Sequence, residues 1–215
     1  MNDTGTDAFL ESLGRALRAG ALESAPRIAA SHQGEIFRLR HRDRIVAVKT
    51  AVGRGPVGAA NRLALRREHR AYRRLSGVPG IAVCDGLIDG RWLVLEHVRG
   101  RPFRDAEVGD AFFDRLLETL REMHRRGVAH ADLKRKANLL VADGDRPVVL
   151  DFGAAVLFRP GFHPLNHKLF AFMRQTDLNA WVKLKYRGYD GVAESDRALL
   201  KRSWIERTLA SLRHR

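Results

Sequence analysis

The sequence predicts an α+β fold, with strands gathered in its first half and helices in its second. Three observations predict it. Period-two alternation rich in β-branched residues runs through 35–49 and returns over 81–98. An Asp89-Gly90 dipeptide sits between two such runs, a strong hairpin signal. Apolar residues at helical spacing then fill 110–126 and recur beyond Arg174.

Taken in order, residues 7–24 place Phe9, Leu10, Leu13 and Leu17 at helical spacing, an amphipathic leader helix. Strands are expected at 35–39 and 45–49, joined by the charged turn 41–44. The stretch 52–58 holds three glycines and Pro56 and reads as a loop. A long helix over 60–75 follows, with Leu63, Leu65, Tyr72 and Leu75 set among arginines. Strands at 81–88 and 91–98 flank the Asp89-Gly90 turn. The helix 110–126 carries Phe113, Leu116, Leu117, Leu120 and Met123 on one face. Short strands at 139–141 and 148–150 flank the polar turn 142–147. Helices are expected at 177–186 and 196–212. This order divides the chain into a leader (1–30), a strand-rich segment with one helix (31–98) and a helical segment with a small ribbon (99–215).

Composition narrows the function classes. A chain of 215 residues, 45% hydrophobic and 30% charged, is long enough for a real core and argues against wholesale disorder. Its one cysteine, Cys84, excludes an intramolecular disulfide framework and a multi-cysteine zinc site. No apolar run approaches the roughly 18 residues of a membrane span, and the acidic opening lacks the apolar core of a secretory signal. A cytoplasmic setting is expected. The net charge of +14 attracts polyanions, among them nucleotides, phosphorylated glycolipid and an anionic membrane face.

Four pieces that carry chemistry arrive in a fixed order. A strand ends VAVK at Lys49, and a helix carries Glu68 within RREHRAYRRL. A loop reads VAHADLKRKANLLV, and a strand runs into VVLDFGAAV with Asp151-Phe152-Gly153. Together they resemble the protein-kinase-like superfamily over roughly residues 31–181. The resemblance implies a two-lobed architecture with a β-rich first lobe and a minimal helical second lobe. It also implies ATP and Mg²⁺ as cofactors. In that frame Lys49 clamps the α/β-phosphates and Glu68 aims it. Asp151 and Asn138 hold the metal, and Asp132 serves the acceptor hydroxyl. Lys134, two residues on, neutralises charge at the transferring phosphate, and His130 shapes the loop. WLVLEHVRG resembles the segment joining the lobes, with Leu95 behind the adenine slot and Glu96 and Val98 offering backbone groups to the base. Ala47 leaves space for the ring, and Leu140 and Ile36 floor and roof it. Asp177 in TDLNAW resembles the helix-start aspartate that ties down the catalytic loop.

Departures from the pattern are equally plain. The glycine-rich loop keeps only Gly34 in SHQGEIF, so backbone cradling of phosphates is weaker or built differently. Asn138 lies six residues after Asp132, not the familiar five, and Ala137 occupies the fifth position. No APE motif appears, and residues 154–215 leave little room for a peptide-binding subdomain. HADL is similar to the loop of RIO-type kinases, whereas DFG and the short second half look more like bacterial lipopolysaccharide-core kinases.

The leading expectation is therefore a kinase whose acceptor is a hydroxyl on a lipopolysaccharide-type sugar or a protein serine or threonine. Arginines 62, 66, 67, 70, 73 and 74 on one helix would suit an anionic acceptor or peripheral contact with an anionic inner-membrane face, or would simply be a solvated face. A kinase-fold binding module without turnover is the first alternative. A nucleic-acid binder is the second, disfavoured because no base-reading motif accompanies the charge.

Overall fold

The computed structural model describes residues 3–30 and 34–201. The alternating N-terminal segments build a five-stranded antiparallel sheet in the order β1-β2-β3-β5-β4. Helix α1 (Asp3–Arg18) precedes β1 (Arg27–Ala30), β2 (Gly34–His41) and β3 (Arg44–Ala51). Helix α2 (Gly55–Arg74) then crosses to β4 (Cys84–Ile88) and β5 (Trp92–Glu96). At the β4–β5 turn Asp89 and Gly90 both take left-handed backbone, φ 51° and 64°, which matches the twist of the two strands.

Alternation along β3 sets the two sides of this sheet. Val46 and Val48 are fully buried and pack with Phe9, Leu13 and Leu17 of α1. Ala47 and Lys49 point the other way, into a cleft. The leader helix thus belongs to the sheet's own core.

After β5 come β6 (Gly100–Pro102), α3 (Asp110–Arg125), β7 (Val128–Ala129), β8 (Leu139–Ala142), β9 (Arg146–Val149), β10 (Val156–Leu157), α4 (Pro164–Lys185) and the four-residue α5 (Glu194–Arg197). Strands β6, β8 and β9 form a small sheet, and β7 pairs with β10. The apolar face of α3 packs with Trp181 and Val182 of α4 and with Leu139, Val149 and Phe152. Trp181 donates its indole N–H to the Phe113 carbonyl at 2.8 Å, which satisfies the one polar atom it buries.

Several boundaries differ from the sequence reading, each for a physical reason. Helix α1 ends at Arg18, where Gly20 turns the chain with φ 90°. Strand β1 was not anticipated, because all four of its residues are exposed and leave no alternation to read. The glycine-rich stretch expected as a loop is largely the start of α2, which opens at Gly55 with Pro56 in its first turn, where a missing N–H costs nothing. Helix α4 opens at Pro164, thirteen residues before Asp177, because exposed Leu165, Leu169 and Phe172 blur its amphipathic signal. The helix expected at 196–212 is not formed at 198–201, and the rest of that range lies outside the described residues. Strands β6, β7 and β10 are too short for periodicity to reveal.

Two outcomes follow from this packing. Leu13 is 0% exposed against the back of the sheet, so Leu13→Ala should lower stability by about 2–5 kcal/mol in urea unfolding. Cys84 is the second expectation: burial pushes its thiol pKa up to about 12. Alkylation of the native chain at pH 8 should run about a thousandfold slower than that of an unfolded control.

Candidate active site

The cleft side of the sheet is organised by one cation. Lys49 projects from β3 at 6% exposure. Its Nζ lies 2.7 Å from Glu68 Oε2 on α2 and 2.8 Å from Asp151 Oδ1. Burial disfavours the ammonium, but the charges of Glu68 and Asp151 outweigh it and raise the Lys49 pKa. Burial also works on Asp151, where the ammonium prevails and holds the carboxyl below its ordinary value. Glu68 is 1% exposed, and there burial prevails over Lys49 and raises the carboxyl. One positive charge shared by two carboxylates leaves the cluster one negative charge in excess.

Asp151 adopts left-handed backbone, φ 63°, and its Oδ1 accepts the Gly153 N–H at 3.2 Å. Such a conformation in a non-glycine residue costs about 1–3 kcal/mol and is held by its surroundings. Arg67 of α2 donates its Nε–H to the Gly153 carbonyl at 3.0 Å. Phe152, fully buried, meets the Tyr72 ring edge-on with centroids 4.9 Å apart. Helix α2 is therefore fixed to the Asp-Phe-Gly turn at Glu68, Arg67 and Tyr72.

The loop between β7 and β8 is equally determined. His130, 0% exposed, places Nε2 2.8 Å from the Leu150 carbonyl, and its Nδ1 accepts the Asp132 N–H at 3.2 Å. These partners fix the tautomer with its proton on Nε2. Asp177 accepts the backbone N–H of His130 on Oδ2 at 2.8 Å and that of Ala131 on Oδ1 at 2.9 Å. His124 Nε2 lies 3.0 Å from the same Oδ2. Ala131 sits between at φ 67°, a left-handed conformation that these bonds hold in place. Asp177 acts from the middle of α4, not from a helix start as its sequence context suggested.

The extra residue between Asp132 and Asn138 is absorbed by a 3₁₀ turn over Lys136–Asn138. The Arg135 N–H donates to the Asp132 carbonyl at 3.3 Å, and the Asn138 N–H to the Arg135 carbonyl at 2.8 Å. Asn138 consequently still meets Asp132, donating from Nδ2 to its carbonyl at 3.0 Å and to Oδ2 at 3.3 Å. Its own carbonyl accepts the Leu150 N–H at 2.9 Å, which anchors it from the strand side.

A cavity of about 270 Å³ adjoins this cluster. Gly34, Ile36, Ala47, Lys49, Glu68, Leu95, Glu96, Val98, Leu140, Asn138 and Asp151 all line it. The Glu96 N–H is already given to the Val83 carbonyl at 2.8 Å. Gly34 begins β2 where a Cβ would meet the Thr50 carbonyl oxygen at 2.5 Å, so close strand approach requires glycine there. Asp132 and Lys134 are not among the lining residues: Asp132 joins the site through Asn138, and Lys134 is exposed in the loop beyond. Sequence reasoning missed Ile28, Ala29 and Ala30 of β1, and Arg135, all of which line the cavity. The short apolar run ahead of Gly34 was the available signal. The residues between β1 and β2, Ser31 to Gln33, lie outside the described residues.

No family model matches the chain. It is 37% identical over 90 residues to a probable bifunctional tRNA threonylcarbamoyladenosine biosynthesis protein of Methanothermobacter thermautotrophicus, covering 41% of this chain and 16% of that protein. It is 31% identical over 144 residues to the serine/threonine-protein kinase mos of Xenopus laevis, covering 60% of this chain and 40% of the relative. A third likeness, 42% over 60 residues, is to the serine/threonine-protein kinase grp of Drosophila melanogaster, covering 28% and 11%. The matches thus span at most 40% of the length of these relatives. They support a kinase-like relationship at superfamily level, with which the α+β architecture is compatible.

Asp177 offers a direct check on the loop geometry. Asp177→Ala leaves two backbone N–H groups and His124 without their acceptor, at 0% exposure for the replaced side chain. Urea unfolding should show a loss of about 3 kcal/mol or more, and Asp177→Asn, which keeps one acceptor oxygen, should lose less.

Proposed function

We propose that the chain is an ATP-dependent phosphotransferase acting on an acceptor hydroxyl, on a lipopolysaccharide-type sugar or on a protein serine or threonine. The observation that carries the reading is Lys49 held between Glu68 and Asp151 at 2.7 and 2.8 Å, beside an apolar slot. The kinase-like relationship supports it at the level of the superfamily. A two-lobed arrangement, with 31–98 and 99–215 as its lobes, belongs to the same reading. So does kinship to RIO-type or lipopolysaccharide-core kinases.

The residues present fit the two cofactors. Ala47, Leu95, Ile36 and Leu140 make an apolar slot for a purine, and the Glu96 carbonyl and Val98 amide offer polar groups at its edge. The excess negative charge beside Lys49 favours a cation, and Asp151 and Asn138 supply the hard oxygen ligands Mg²⁺ prefers. Among the described residues no cluster of three or more His, Cys, Asp or Glu could hold a metal unaided, so nucleotide phosphates and water would complete its shell. Bound Mg²⁺ would neutralise the phosphate oxygens.

This chain's own residues then divide the work. Lys49 clamps the α/β-phosphates, and Glu68 keeps it aimed. Asp132, oriented by the Asn138 amide and the His130 ring, accepts the proton of the acceptor hydroxyl. The new bond forms between that oxygen and the γ-phosphorus, while the bond to the bridging oxygen breaks and ADP departs. Lys134 offsets charge on the phosphoryl group in transit.

The test separates binding from turnover. Asp151→Asn should abolish Mg²⁺-dependent nucleotide binding, and Asn138→Ala should weaken it strongly while Ala137→Gly does little. Asp132→Asn should keep nucleotide affinity within a few-fold and lower turnover by roughly 10² or more. Labelled ATP with total cell extract would show which fraction accepts phosphate. Wild-type turnover in Asp132→Asn would overturn the assignment. Nucleotide binding with no turnover in any fraction would favour a kinase-fold binding module, the reading that the single glycine of the phosphate loop supports.

A further inference from the structure

The arginines of α2 divide by direction. Arg66 lies against Gly90 at the β4–β5 turn. Arg67, Arg70, Arg73 and Arg74 instead line a groove of about 790 Å³ on the side of α2 facing β10 and α4, together with Arg159. No acidic residue lines it. Arg67 and Arg74 are partly engaged with backbone carbonyls of Gly153 and Phe158. His69 Nε2 is buried beside them and has no hydrogen-bond partner among the described residues.

One rim of this groove is apolar. Leu169 lines it at 45% exposure, and Leu165 and Phe172 lie on the same face of α4 by their spacing of four and three residues. Their exposures are 82% and 50%, and Phe162, just ahead of the helix, is 93% exposed. From Phe152 to Thr176 the sequence contains no aspartate or glutamate, while Arg159, Lys168 and Arg174 interrupt it. Exposed large apolar side chains in a row are unfavourable in water unless something covers them. An acid-free cationic groove beside that row selects a partner that is apolar and anionic at once.

We propose that this face, the arginine groove of α2 and the apolar row at the start of α4, seats the chain on an anionic lipid surface. Phe162, Leu165, Leu169 and Phe172 would enter the headgroup–acyl boundary, while Arg70, Arg73 and Arg159 take lipid phosphates. The association proposed is peripheral, and no helix among the described residues is long and apolar enough to cross a membrane. The inference stands apart from the phosphotransferase reading, because vesicle binding is read without turnover.

The experiment is co-sedimentation of the full chain with vesicles of phosphatidylcholine alone and of phosphatidylcholine mixed with phosphatidylglycerol, at low and high salt. Binding is expected only to the anionic vesicles and should fall as salt screens the contact. Two double variants divide the contributions. Arg70→Glu with Arg73→Glu should weaken partitioning by about tenfold or more, and Phe162→Ser with Leu165→Ser by a comparable factor. All four side chains are exposed, so circular dichroism and the urea midpoint should be unchanged. Soluble glycerophosphate in excess should not release the wild-type chain. Undiminished binding of the serine variant, equal binding to neutral vesicles, or release by glycerophosphate would each overturn the proposal. Failure to bind anionic vesicles, with retention on an acidic peptide, would overturn it in favour of a protein partner.

Discussion

A lysine ammonium at 6% exposure has to be neutralised where it sits, and in this chain the neutralising groups come from far apart in sequence. Glu68 reaches Lys49 from α2, and Asp151 reaches it from the turn after β9. Breaking such a buried pair from one side typically costs about 3–5 kcal/mol, because the remaining charge is stranded. The sheet, the helix and the Asp-Phe-Gly turn are thereby fixed relative to one another. Arg67 on the Gly153 carbonyl and Tyr72 on Phe152 reinforce the same junction. Position, charge and the shape of the adjoining slot all follow from satisfying one cation.

A second constraint works at the opposite wall of the site. Asp177, fully buried in α4, spends its carboxylate on backbone N–H groups of His130 and Ala131. His130 in turn bridges the Leu150 carbonyl and the Asp132 amide. Asp132 is therefore set by a chain of hydrogen bonds that begins on a helix and ends beside Asp151. That arrangement tolerates the additional residue before Asn138, since the 3₁₀ turn takes up the slack between two fixed ends.

The positive charge serves different ends at different places. Arg67, Arg74 and Arg126 are partly structural, donating to the backbone carbonyls of Gly153, Phe158 and Ser76. Arg18 forms an exposed pair with Asp89, which contributes little to stability, whereas Arg44 holds Asp85, whose side chain is nearly buried. Arg70 and Arg73 remain directed at an acid-free groove. Net charge alone could not separate these uses.

The sequence by itself determined the division into a strand-rich first half and a helical second half, the Asp89-Gly90 hairpin and the short motifs that carry Lys49, Glu68, Asp132, Asn138 and Asp151. These were legible because alternation, turn chemistry and short motifs are local properties of a chain. Their junction was not, since the meeting of residues 49, 68 and 151 depends on how α2 and β9 pack against the sheet. Strand β1 escaped notice because an exposed edge strand carries no alternation, and with it went Ile28, Ala29 and Ala30 as walls of the slot. The early start of α4 escaped for a related reason: its first turns keep Leu165 and Leu169 outside and bury only Phe170, so periodicity had little buried face to report. Only the tertiary structure decided which arginines face the groove, because helical spacing gives a residue's angle on its own helix but not what lies opposite.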